Sequence, residues 1–209
     1  MIITEKLKRY IKENVFPEYA KNDSGHDLDH IEYVIRRSLT FAETVDGIDY
    51  DMVYAIAAYH DIGHHIDAHT HEKISAEIML ADSGLRKFFS EEDMRVMAEA
   101  VCDHRASSTH EPRSIYGKIV SSADRNTSVE GAIKRAYSYR CTHTPTATLN
   151  EMIEDSRLHL AEKFGRQGYA TEKMFFEDPD YEKFLDDIAA LTADPVEFEK
   201  KFLEINEIF

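Results

Sequence analysis

The sequence predicts an all-α protein, and three observations carry that expectation. Apolar residues recur at three- and four-residue spacing along most of the 209-residue chain, the periodicity of amphipathic helices. Helix-start signals precede several of these segments, among them Ser90 with Asp93, and Asp194 before Pro195. No convincing alternating strand pattern and no internal repeat interrupts them. The expected product is a mostly helical domain of roughly eight to ten helices.

Leu7, Tyr10, Ile11 and Val15 mark a short first helix ending near Pro17, because the residue before a proline disfavours helical geometry. The stretch 21–25 reads as a polar turn. After Asp27, the positions Leu28, Ile31, Val34, Ile35 and Leu39 define a second helix, broken at Asp46-Gly47. The run MVYAIAAY, residues 52–59, is nearly all apolar. A buried strand is its rival reading, but its alanine content and length favour a helix covered on most sides. It runs directly into HDIGHH, so ionisable groups follow the core without a spacer.

A further helix is expected from about Glu72 to Asp82, with Gly84 as its C-cap. Ser90 and Asp93 form a capping box opening a helix that reaches His104, with Met94, Met97, Val101 and His104 on one face. In the apolar segment 115–124, Tyr116, Val120 and Asp124 align at intervals of four. His104 and Asp124 therefore sit on core-facing stripes, where an unpaired polar side chain is costly. Helices are expected over 128–140, 148–164 and 180–191, and a last one begins with Asp194 as N-cap and Pro195 at the first helical position. The connections 143–148 and 165–171 read as flexible or lid-like.

Composition limits the partners. Hydrophobic residues make up 43%, enough for a sizeable core, and 40 acidic against 25 basic side chains leave a formal charge of −15. Such a surface repels phosphate backbones and anionic headgroups, so neither long nucleic acid nor membrane is expected as a partner. A small anionic substrate stays compatible, because a bound metal reverses the local field. Two cysteines, Cys102 and Cys141, make no disulfide scaffold, and the expected home is the reducing cytoplasm. No run of about 18 apolar residues occurs, and the N-terminal MIITEKLKRYIKEN lacks the apolar segment of a signal peptide. The oligomeric state stays open, a homodimer included.

Nine of the eleven histidines fall between His26 and His110. Among them His60 is followed by Asp61 at the end of the buried helix, and imidazole with carboxylate suits divalent cations. Adjacent helical residues diverge by about 100°, so both reach one ion mainly where a helix ends. Taken alone the dipeptide is weak, since a helix-terminal histidine also interacts with the macrodipole. His30, His104 and Asp124 on other predicted helices strengthen it: such groups fit one buried ion better than separate core roles.

These residues resemble the HD-domain superfamily of metal-dependent phosphohydrolases. The resemblance rests on His30 in GHDLDHIEYV, His60 and Asp61 in AAYHDIGHH, and Asp124 in IVSSADR, and covers roughly residues 20–130. It implies an HD-type helical bundle with extra C-terminal helices: a single domain over 1–209, with its core at about 20–130 and 131–209 as a helical extension and candidate lid. It implies one or two divalent ions, Mn, Fe, Mg, Ni or Zn, held by His30, His60, Asp61 and Asp124. For a second ion, His71 in HTHEKISAEI and His104 in VCDHRAS stand at the places used by two-metal relatives, with His69 competing with His71. Asp61 would then bridge the ions.

His64 stands where the HD-GYP branch has a lysine, and no GYP motif occurs. One turn beyond His60, His64 could contact a substrate phosphate, act as an acid, or support a ligand. His65 reads as exposed, and His26, one turn before His30, ranks below it as a ligand. Phosphate recognition needs donors; Arg105 beside His104 and Arg125 beside Asp124 are rim candidates, with Lys73 and Arg36 weaker. No G-x-S-x-G elbow, P-loop or G-x-G-x-x-G occurs. The expected function is hydrolysis of a small phosphorylated metabolite or nucleotide, as a phosphomonoesterase or phosphodiesterase, by metal-activated water. Its rivals are a di-iron oxygenase of the HD type and a non-catalytic metal- or nucleotide-binding regulator.

Overall fold

The computed structural model describes residues 3–22, 25–125, 127–171 and 174–208. Among these it contains ten α-helices and no strand: α1 (Glu5–Asn14), α2 (Leu28–Ala42), α3 (Tyr50–Tyr59), α4 (His71–Ala81), α5 (Glu91–Cys102), α6 (Ile115–Ala123), α7 (Val129–His143), α8 (Leu149–Phe164), α9 (Pro179–Ala193) and α10 (Pro195–Ile205). None of the described helices is long and apolar enough to cross a membrane. The chain divides into two compact units, 1–124 and 125–209.

In the first unit α3 packs against α2, α5 and α6, and α4 lies along α5. Met52 through Tyr59 are all buried. Their small alanines let helices approach closely on several sides, which is why this stretch is a helix without a polar face. Leu7, Ile31, Val34, Ile56, Met79, Met97, Val101 and Ile119 complete the core. The capping box expected at Ser90 and Asp93 is present, with both reciprocal bonds.

Two local expectations are corrected here. Helix α1 stops at Asn14, and Pro17 lies inside a 3-10 turn over Phe16–Lys21 that the spacing of apolar residues did not reveal. Gly84 is not a left-handed C-cap; its φ is −74°. A Cβ there would overlap the hydroxyl end of Tyr10, so any larger residue would have to displace that ring. The turn after α4 is organised instead by Asp82, whose carboxylate accepts from the amides of Gly84 and Leu85 and from the hydroxyls of Tyr10 and Tyr59.

In the second unit α8 packs on α7 and α9, and α10 covers all three. Its core is aromatic: Phe164 meets Phe184 edge-on at 4.9 Å between centroids, and Tyr181, Phe198 and Phe202 are buried. Helix starts are strongly signalled. Thr148 with Glu151 closes a capping box, and Asp178 and Asp194 each cap a helix opening with proline. Helix α9 thus begins just ahead of the expected residue 180.

Candidate metal centre

Five helix ends of the first unit supply six clustered side chains. His30 lies in the first turn of α2, whose N-cap Asp27 accepts from the His30 amide. His60 caps the C-terminus of α3, and the chain then tightens: Ile62 N–H reaches Tyr59 O and His64 N–H reaches Asp61 O. Asp61 thus lies in the turn beyond the regular helix, with its Oδ2 3.3 Å from His60 Nε2. His71 opens α4, His104 lies just beyond α5, and Asp124 caps α6.

Asp61 joins two groups of ligand atoms. Its Oδ2 faces His30 Nε2 at 3.6 Å and His60 Nε2 at 3.3 Å, while Oδ1 faces His71 Nε2 at 3.1 Å and His104 Nε2 at 3.3 Å. Asp124 Oδ1 completes the first group, 3.2 Å from His30 Nε2 and 3.9 Å from His60 Nε2. His30, His60 and Asp124 offer one set of atoms within 4.8 Å of one another, and Asp61, His71 and His104 a second.

The rings are held with one nitrogen forward. Nδ1 of His60, His71 and His104 faces the carbonyl of Ala57, Ala68 and Val101, at 2.8, 2.9 and 2.6 Å. A carbonyl only accepts, so each Nδ1 carries the proton and each Nε2 presents a lone pair to the centre. The Nε2 atoms of His71 and His104 are 3.1 Å apart; two lone pairs at that distance repel unless a proton or a cation lies between. Nε2 of His30 and His60 and Oδ1 of Asp61 are buried without a hydrogen bond. Orphaned buried atoms of this kind, on nitrogen and oxygen donors only, fit a divalent cation.

The electrostatics agree. His60, Asp61, His71 and His104 are all buried, and two carboxylates face four imidazoles in a low-dielectric site, where their charge needs a proton or a cation as partner. Burial pulls the His30 imidazole down, but Asp124 and Asp61 outweigh it and raise its pKa to about 9. Burial likewise opposes ionisation of Asp61 and Asp124, yet the surrounding histidines hold both well below the carboxylate range. Burial lowers His104, whereas at His71 the Asp61 carboxylate overcomes burial and raises it. Proton affinity is thus raised at His30 and His71, where a cation would serve the same carboxylate charges.

Other candidates lie around this cluster. His26 stacks on His64, with centroids 3.6 Å apart, and His64 is 5.1 Å from His71. His26 also meets His30 edge-on at 6.0 Å, but belongs to neither ligand group. His69 is exposed, so of the two competing histidines it is His71 that joins the cluster. Arg105 pairs with Glu72 at 3.1 Å and donates to the His69 carbonyl. Arg125 is buried, at 3% exposure. Lys73 is exposed on α4, and His65 is exposed, with its amide bonded to Asn22.

Asn22 is a residue that sequence reasoning missed. Its Nδ2 donates to the carbonyls of His26 and Asp61, each at 3.0 Å, and its Oδ1 accepts from His65 N–H. One amide side chain thus ties the HD turn to the segment before α2. Ser75 does the same from α4, accepting from Gly63 N–H. Neither position carries a local signal, because the ties to the HD turn span 39 residues from Asn22 and 12 from Ser75.

Residues 27–127 match the family model for the HD domain. No curated protein and no solved structure gives a match to the chain.

Proposed function

Residues 27–127 match the HD-domain family model, and on that premise we propose that the chain is a metal-dependent phosphohydrolase of the HD type using two divalent ions. The observation that carries the reading is the split of the Asp61 carboxylate, one oxygen toward His30 and His60 and the other toward His71 and His104. In this proposal His30, His60 and Asp124 hold one ion, His71 and His104 the other, and Asp61 both. Imidazole suits Fe, Ni and Zn and carboxylate suits Mn and Mg, so the mixed donor set admits several ions, with geometry and availability selecting among them.

When bound, the ions lower the pKa of water toward neutrality and polarise a phosphoryl oxygen. The chain's own residues do the rest. Backbone carbonyls of Ala57, Ala68 and Val101 keep three Nε2 atoms deprotonated and forward. Burial of His60, Asp61 and His104 excludes bulk water from the ligand side. His64, stacked on the His26 ring and tilted against that of His71 at 5.1 Å, is the group we assign to the substrate phosphate or to proton donation to the leaving oxygen. With a surface of formal charge −15, a small phosphorylated metabolite or nucleotide is the substrate class we propose.

The test is elemental analysis of the purified chain together with a panel of phosphomonoesters, phosphodiesters and nucleotides, before and after chelation. Turnover that disappears on metal removal and returns with added Mn(II) or Fe(II) supports the reading. Full phosphatase activity in the metal-free protein would sink it, and oxygen-dependent turnover of an iron-loaded form without hydrolysis would replace it with the oxygenase alternative.

A further inference from the structure

The two ligand groups differ in how they are braced. Arg105 immediately follows His104, and Glu72 immediately follows His71. Their guanidinium and carboxylate meet at 3.1 Å, and the same guanidinium nitrogen also donates to the carbonyl of His69. One ion pair therefore joins, across 33 positions, the residues next to the two imidazoles whose Nε2 atoms stand 3.1 Å apart. The pair is partly shielded, with the Glu72 side chain 13% and the Arg105 side chain 31% exposed, so solvent weakens it less than an open surface pair.

The far side of His104 is fixed separately. Asp103 is buried and takes both the Arg113 guanidinium and the Arg113 amide. The His104 backbone is thus anchored by Asp103 whatever Arg105 does. What the Arg105–Glu72 tie adds is the separation between the start of α4 and the segment after α5, and so between His71 and His104. Two facing lone pairs repel when neither a proton nor a cation lies between them, and the tie holds the two imidazoles at this distance.

We infer that Arg105 and Glu72 are a positioning pair that sets metal affinity in the His71–His104 half of the centre, leaving the His30–His60–Asp124 half unchanged. This rests on the two-ion reading above. It assigns Arg105 to holding the site together, in contrast to contact with substrate.

The experiment is titration of the chelator-stripped full chain with Mn(II). Bound metal is counted by elemental analysis after gel filtration, and the electron paramagnetic resonance signal reports whether the ions are coupled. Wild type is expected to bind two ions as a coupled pair. Arg105→Ala and Glu72→Gln should each keep the first ion at wild-type affinity and bind the second about 10- to 100-fold more weakly, the usual effect of removing a group that orients a ligand. The coupled signal should give way to that of an isolated ion, and the swapped double variant Glu72→Arg/Arg105→Glu should recover part of the second-site affinity. If Arg105→Ala does not fold, Glu72→Gln decides, since it keeps the volume and an acceptor. Retention of both ions at wild-type affinity in the variants overturns the inference, and so does equal weakening of both. A wild type that never binds more than one ion overturns the two-ion reading itself, and the inference with it.

Discussion

The Nε2 atoms of His71 and His104 face each other at 3.1 Å while their Nδ1 atoms are committed to the carbonyls of Ala68 and Val101. Neither ring can donate to the other without giving up its backbone bond, so the contact needs a proton or a cation from outside. Asp61 Oδ1 lies within 3.3 Å of both nitrogens and supplies the charge that makes either welcome.

Metal should therefore stabilise the fold. At a free Mn(II) concentration about 100 times the Kd, the gain is about 2.7 kcal/mol, readable as a rise in thermal midpoint over the chelated protein. Asp61→Ala should abolish both the rise and hydrolysis while far-UV circular dichroism stays close to wild type. An unchanged midpoint in wild type with and without metal counts against a native metal centre.

The pH dependence follows from His30. In the metal-free chain its pKa is raised to about 9 by Asp124 and Asp61 against burial, compared with about 6.5 in an unfolded chain. Its stabilisation is therefore complete below about pH 6.5 and lost as pH rises through 9. The lowered Asp61 and Asp124 titrate on the acid side and do not offset this loss. Metal affinity should run the other way, rising over the same interval because binding must displace the His30 proton. Denaturation of metal-free protein at pH 6.5 and 9.5 checks the first trend, and metal titration checks the second; His30→Gln should flatten both.

Gly63 sets the distance between the HD turn and α4. A Cβ there would lie 2.7 Å from the Ile74 side chain and 2.9 Å from the Ser75 amide. Gly63→Ala should destabilise by about 1–3 kcal/mol, as overpacking does, and should weaken metal binding by moving Asp61 relative to His71. Wild-type metal affinity in this variant would show that the close approach is unrelated to the site.

Asp82 offers the opposite case, structural without being part of the centre. Its carboxylate accepts from Tyr10 and Tyr59 hydroxyls, each at 2.5 Å. Asp82→Ala strands these donors and should cost about 1–3 kcal/mol in chemical denaturation, with metal stoichiometry preserved. Loss of metal from the folded variant would contradict that separation.

If His64 donates a proton or binds phosphate, His64→Ala should lower kcat by about 100- to 10,000-fold with both ions retained. A variant of undiminished kcat would remove His64 from the chemistry and leave it as a packing partner of His26.

Much of this protein is local and therefore readable in one dimension. Helical periodicity, the Ser90–Asp93 box and the Asp194-Pro195 start depend on residues a few positions apart, and the HD pair with His30, His71, His104 and Asp124 could be singled out by residue type and motif. Tertiary structure decided what depends on convergence: that Asp61 turns one oxygen to each histidine group, and that His71 rather than His69 joins the cluster. It also decided that Asn22 clamps the HD turn, that Gly84 makes room for Tyr10, and that Arg105 spends its charge on Glu72. Side-chain type and helical phase are properties of a short window. A distance of 3 Å between residues 33 apart arises only when several helix ends meet, and no periodicity encodes it.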